Sequence, residues 1–168
     1  MTLQAGVITV SDKGSRGERE DTSGPEIINI LAAMGITVNV STILPDEEEL
    51  IAEALRQYAD TLKLDLIITT GGTGVSPRDV TPEATLKVIE REVPGMAEAM
   101  RRESAAITPH AMISRAVTGI RGRSLIINLP GSPKGVRENL AIILPALKHA
   151  VEKIKGDESD CAQSSPRG

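Results

Sequence analysis

Apolar positions along the chain follow two alternating rhythms. Short runs rich in β-branched and aliphatic residues at 6–10, 36–44, 64–70 and 124–129 predict four strands. The first and third are apolar almost throughout, as strands covered on both faces are. Between them lie segments with 3.6-residue periodicity, each opened by a helix start signal. Ser23 with Glu26, and Asp46 with Glu49, have capping-box spacing. Thr81-Pro82-Glu83 and Ser132-Pro133 set a hydroxyl before a proline at the first helical position. Leu50, Ala54, Leu55 and Tyr58 are the expected buried stripe of the second helix, and Ile142, Ile143, Leu147 and Val151 that of the last. Pro145 is expected to kink or split that last helix. Pro94-Gly95 reads as a helix break, 96–107 as a further helix and 116–123 as a short edge hairpin.

Such alternation predicts parallel strands joined by right-handed crossovers, hence a three-layer α/β/α sandwich around a mostly parallel central sheet. Residues 1–155 read as one domain. The small, polar stretch 156–168 reads as a disordered tail.

Composition narrows the functions this scaffold can carry. A 168-residue chain that is 40% hydrophobic is large enough to fold without staples, yet it has no Trp, no Phe and a single Tyr. Readers of single-stranded nucleic acid and aromatic cation cages lack the rings they need. With 19 Lys+Arg against 23 Asp+Glu, no overall basic field draws in a phosphate backbone, so a nucleic-acid partner is not expected. The single cysteine, Cys161, excludes an internal disulfide and any cysteine metal cluster and suits a reducing cytoplasm. No secretory signal and no apolar run of about 18 residues is visible, so no membrane span is expected.

In open α/β sheets ligands bind at the carboxyl ends of the strands. Four loops are predicted to share that edge: Ser11-Asp12-Lys13-Gly14, Pro45-Asp46, Gly71-Gly72-Thr73-Gly74-Val75-Ser76-Pro77-Arg78-Asp79 and Pro130-Gly131-Ser132-Pro133-Lys134. Three glycines in four residues suit either a tight turn or an anion nest of backbone N–H groups. The loop lacks the Gly-Lys-Ser/Thr of a Walker A loop and the third glycine of a dinucleotide fingerprint. Arg78 is able to pair with phosphate and Asp79 to hold a hard cation. By its spacing to Glu49, Asp46 first suits a helix cap, and the acidic helix start it opens could still face a magnesium ion; Asp12 suits a turn or a site role alike. Ser132 with Lys134 suits an N-cap or a second anion site. His110 and His149 show no metal-ligand spacing, and no nucleophile triad or zinc signature is present. The residues by themselves point to binding a phosphorylated small molecule with Mg²⁺.

Thr69-Thr70-Gly71-Gly72-Thr73-Gly74, followed by Pro77-Arg78-Asp79-Val80-Thr81-Pro82-Glu83, closely resembles the molybdopterin adenylyltransferase family, the MogA-like proteins and the G domains of gephyrin-type proteins. Asp21-Thr22-Ser23-Gly24, Leu44-Pro45-Asp46-Glu47, Pro94-Gly95-Met96 and the run from Leu125 to Ser132 resemble family blocks in family order, covering about residues 6–155. The resemblance implies Mg²⁺-dependent joining of molybdopterin to ATP, releasing pyrophosphate, in a homotrimer that hands its product towards a molybdenum insertase. It implies Asp46 and Asp79 as catalytic carboxylates and Mg²⁺ ligands, and Ser104 beside the adenylylated product. Ser11, Asp12, Gly71, Gly72, Thr73, Gly74, Ser76, Arg78, Pro130, Gly131, Ser132 and Lys134 are implied to surround the ligands. Relatives of the MoaB type, some without the Arg-Asp pair, imply binding without turnover; gephyrin implies a scaffold. Arg78-Asp79 favours the active branch. Where many relatives carry Phe after the glycine loop, this chain has Val75.

Overall fold

The computed structural model describes residues 2–158. Its strands, β1 (Gln4–Val10), β2 (Thr37–Leu44), β3 (Leu66–Thr70), β4 (Arg91–Glu92), β5 (Thr118–Arg121) and β6 (Ser124–Leu129), form one sheet in the order β2-β1-β3-β6-β5-β4. The first four in that order run parallel, and β5 and β4 each add antiparallel to the strand before. The helices are α1 (Asp12–Ser15), α2 (Ser23–Ala33), α3 (Glu48–Arg56), α4 (Thr81–Val88), α5 (Pro94–Ala105) and α6 (Pro133–Ile154). A π turn at Gln57–Thr61 prolongs α3, and a 3-10 turn at Pro109–Ile113 follows α5.

Alternation along the strands divides the core in two. Val7, Leu66, Ile68, Leu125 and Ile127 pack with α2, α5 and α6, whereas Ile8, Ile67 and Ile126 pack with α3 and α4. The sheet is therefore covered on both faces, the three-layer sandwich expected. Truncating a fully buried member such as Ile67 to Ala costs about 2–5 kcal/mol. The single aromatic ring belongs to this core: Tyr58 is buried against Gly6, where an added Cβ would come within 2.6 Å of the ring, and its hydroxyl shares a 2.7 Å hydrogen bond with Thr42 Oγ1.

Several local expectations are corrected. Ser23 does not cap α2, because its hydroxyl donates to the Gly131 carbonyl; Asp21 Oδ1 takes the Gly24 N–H at 3.0 Å instead. Asp46 lies outside α3, whose N-cap position is Glu47, and its carboxylate is used elsewhere. Thr81 sits inside α4 and donates to Gly71 O. Leu50 is exposed and Ile51 takes its place in the stripe, while Leu55 and Tyr58 are buried as expected. Ser132 does cap α6, accepting from Gly135 N at 3.0 Å. Pro145 does not split α6: it lies on the exposed side of one continuous helix, where the carbonyl freed by its missing N–H can meet water. Pro94-Gly95 opens α5 rather than breaking a helix, and 116–123 is not an edge hairpin by itself: it holds the single strand β5, which pairs with β6 on one side and with the edge strand β4 on the other. Of the expected tail, Gly156 and Asp157 turn back on α6 through bonds to Lys153 O and Glu152 O, and 159–168, with Cys161, lie outside the described residues.

From β1 the chain crosses outward to β2, then returns past β1 to β3 on its other side. Loops leaving β1 and β3 thus part at a topological switch point, where such sheets form crevices. No helix among the described residues is long and apolar enough to cross a membrane.

Candidate active site

At that switch point the β3 loop is pressed against its neighbours. Gly71 (φ +95°) and Gly72 (φ +67°) adopt the left-handed region, and a Cβ on Gly71 would collide with the Val10 carbonyl. A Cβ on Gly72 would meet Thr81 Oγ1, which donates to Gly71 O at 2.9 Å. From the other side comes the β6 loop: Thr70 Oγ1 donates to Pro130 O at 2.7 Å, Ser23 Oγ to Gly131 O at 2.6 Å, and a Cβ on Gly131 would lie 3.3 Å from Gly71 Cα. The Gly71 N–H donates to Leu129 O, so this member of the expected anion nest is already engaged. Below the ridge, buried Asn128 donates to Thr69 Oγ1 and Thr85 Oγ1 and accepts the Val117 N–H, tying β3, β6 and α4 together.

Two carboxylates flank this ridge. Asp46 Oδ2 accepts the Asp12 N–H at 3.0 Å, and Asp12 Oδ1 accepts the Asp46 N–H at 3.0 Å, a reciprocal pair that joins the β1 and β2 loops. Burial raises the Asp46 carboxyl above its ordinary pKa; the Asp12 N–H opposes this, and the charges of Asp12 and Asp79 add to it. Asp79 Oδ2 accepts the Ser76 N–H at 2.9 Å. Both carboxylates line the cavity that opens between the β1 loop and α2. Arg78 forks onto Asp12 at 3.0 and 2.9 Å and reaches Glu47 at 3.1 Å. The guanidinium holds the Asp12 carboxyl below its usual range and is itself raised by that pairing.

The ridge separates two cavities. One, of about 540 Å³, runs under α5, the 3-10 turn and the start of α6, and is lined by Met100, Arg101, Ser104, His110, Asn139 and Lys134 among others. The second, of about 720 Å³, opens between the β1 loop and α2, and is lined by Ser11, Arg19, Glu20, Asp21, Ser23 and Asp46 among others. Gly72, Asp79, Gly131 and Ser132 line both. Two ligands can therefore approach one carboxylate from opposite sides.

The family described as "Probable molybdopterin binding domain" matches residues 6–149. The chain belongs to the molybdopterin adenylyltransferase family. It is 43% identical to the molybdopterin adenylyltransferase of Helicobacter pylori over 93% of this chain and 90% of that protein. Against gephyrin of Dictyostelium discoideum it is 46% identical over 96% of this chain but only 24% of that longer protein. Among solved structures, the molybdopterin biosynthesis enzyme MoaB of Thermus thermophilus superposes with a TM-score of 0.88 at 51% identity, covering 93% of this chain and 98% of that one. The MogA structure superposes at 0.86 with 41% identity, over 90% and 99%. Membership places the chain among nucleotidyltransferases of molybdenum-cofactor biosynthesis.

Within this family fold, most residues singled out from sequence reach one cavity or the other. Thr73, Gly74, Ser104, Pro130 and Lys134 line the first, Ser11, Asp46 and Gly71 the second. Ser104 is buried and donates to Asn139 Oδ1 at 3.3 Å. Asp12, Ser76 and Arg78 line neither; they hold the other two carboxylates in place or tie the loops together. Ser11 also caps α1 through Gly14 N. Sequence reasoning missed Arg115, which donates to Gly74 O at 2.7 Å and Asp79 O at 2.8 Å and pairs with Glu83. It lies in an irregular stretch, where no periodicity marks it. Asp21, missed as the cap of α2, had a signal in its three-residue spacing to Gly24.

Proposed function

We propose that this chain transfers the adenylyl group of ATP to the terminal phosphate of molybdopterin. The phosphate oxygen attacks the α-phosphorus, a new P–O bond forms, and the bond to pyrophosphate breaks. The observation that carries this reading is the ridge with a cavity on each side and Asp79 common to both. A phosphate nucleophile is already ionised at neutral pH, so the task is to hold two anions together in line, for which no strong base is needed.

The donor set suits Mg²⁺. No cluster of three or more His, Cys, Asp or Glu able to hold a metal exists among the described residues, which argues against an all-protein cage. Mg²⁺ instead commonly takes one or two carboxylates together with substrate phosphate oxygens. Asp46 and Asp79 would be those carboxylates, each steadied by one backbone N–H. Bound there, Mg²⁺ would neutralise phosphate charge and polarise the α-phosphorus. The acidic second cavity suits the triphosphate with its cation, and the first, with Arg101 and Lys134, suits the pterin and its phosphate. The loops would orient both partners for in-line attack.

Incubation with ATP, Mg²⁺ and molybdopterin tests the reading: pyrophosphate should appear in step with adenylylated product. Binding of molybdopterin without pyrophosphate would favour a second reading, a binding module, which the high identity to a MoaB structure keeps in view. We further propose a cytoplasmic homotrimer that passes its product to a molybdenum insertase. Light scattering should give three times the chain mass.

A further inference from the structure

We propose that Arg115 is a positioning residue that locks the segment from Gly74 to Asp79 and so fixes where Asp79 stands between the two cavities. The inference rests on the proposed reaction for its catalytic consequence and on geometry for the clamp itself. Arg115 lines neither cavity, so it acts through another group. All of its mapped contacts converge on one stretch of chain: its N–H donates to Thr73 O at 2.8 Å, Nε to Gly74 O at 2.7 Å and Nη2 to Asp79 O at 2.8 Å, while Nη1 pairs with Glu83 in the first turn of α4. One planar guanidinium thus ties together both ends of the loop that carries Asp79 and the helix that follows it.

Global stability is a weak explanation for this arrangement. The Arg115 and Glu83 side chains are 38% and 42% exposed, and ion pairs that open to water add little to folding. The loop is instead held from two directions. Arg78, at its far side, reaches out to Asp12 and Glu47, and Arg115 grips it from within. Close packing leaves the carboxylate little freedom: a Cβ on Gly74 would come within 2.9 Å of Asp79 Oδ2. Lysine, a point charge with no fork, cannot serve Gly74 O, Asp79 O and Glu83 together.

The test pairs a dynamic readout with a kinetic one, using Arg115→Met, Arg115→Lys and Glu83→Gln in the full chain. Nitrogen-15 relaxation should show backbone order parameters for Ser76, Arg78 and Asp79 falling from about 0.85 to below about 0.6 in Arg115→Met, with β3 and β6 unchanged. Turnover should fall at least about 30-fold with the Kd for molybdopterin within about twofold, a split between kcat and binding that general loosening would not produce. Glu83→Gln, which keeps one acceptor, should shift both readouts the same way by a smaller amount and serves if Arg115→Met does not fold. Unchanged loop order, or turnover within about threefold of wild type, overturns the proposal. A wild-type chain that releases no pyrophosphate would refute the reaction, and the order parameters would still decide the clamp.

Discussion

The two cavities beside the Gly72–Gly131 ridge are built from different materials. One is walled by helices α5 and α6 and the 3-10 turn, with Met100 and Ala97 beside polar groups, two cations, Arg101 and Lys134, and the acid Glu138, which pairs with Lys134. The other is walled by loops and the start of α2, and gathers Glu20, Asp21 and Asp46 with Arg19. A helical wall gives shape and suits a ring system; a loop wall gives backbone groups and carboxylates and suits a cation-bearing polyphosphate. Asp79 is the one acid on the ridge between them, with Asp46 on the loop side only. On the proposed reaction, recognition would be divided between the cavities and chemistry would belong to the boundary.

The largest effect should come from the boundary itself. Asp79→Asn removes the carboxylate common to both cavities and should lower turnover by about 10³-fold or more, several kcal/mol of charge stabilisation, measured as pyrophosphate release. Molybdopterin should still bind it. If the cavities are as unlike as their linings indicate, Asp46→Asn should lower turnover by about 10²-fold and raise the KM for Mg-ATP while sparing molybdopterin affinity, read by steady-state kinetics and calorimetry.

Asp46→Asn also carries a stability signature. Because the folded state favours protonated Asp46, its charge costs stability at pH 7, and the cost fades as pH falls through the raised folded value towards the unfolded value near about 3.9. Asparagine keeps the oxygen that accepts from Asp12 N–H without the charge. The variant should therefore melt higher than wild type at pH 7 and converge with it near about pH 4, by differential scanning calorimetry. On the helical side, Ser104→Ala should weaken molybdopterin binding by about fivefold, the worth of one hydrogen bond, and leave the KM for ATP alone. Smallest of all, Val75→Phe should leave turnover within about twofold, since Val75 is 63% exposed and lines neither cavity.

The architecture was legible in the sequence because buried parallel strands need continuous apolar runs and the helices between them need a 3.6-residue stripe. Those constraints act over whole elements. Helix starts were less legible: Ser23, Asp46 and Thr81 all carry capping chemistry, yet tertiary partners took them away, the Gly131 carbonyl, the Asp12 N–H and the Gly71 carbonyl respectively. Ser23 and Asp46 line the second cavity, and Thr81, fully buried, braces Gly71 from beneath the ridge, so the displaced caps gather in or beside the crevice. The glycine loop and both carboxylates were visible as residue types at strand ends. The partition into two cavities was not, because it depends on Gly131 approaching Gly71 and on α5 and α6 lying over one side. Arg78 was legible as a cation but its partners were not: a carboxylate on each of two other loops took the place of phosphate.

Pyrophosphate release measured side by side for wild type and Asp79→Asn, each with its molybdopterin Kd determined in the same buffer, tests the shared boundary most directly. A catalytic role for Asp79 predicts Mg²⁺-dependent release by wild type, none detectable by Asp79→Asn, and Kd values within about twofold of each other. Release by Asp79→Asn at the wild-type rate would contradict it.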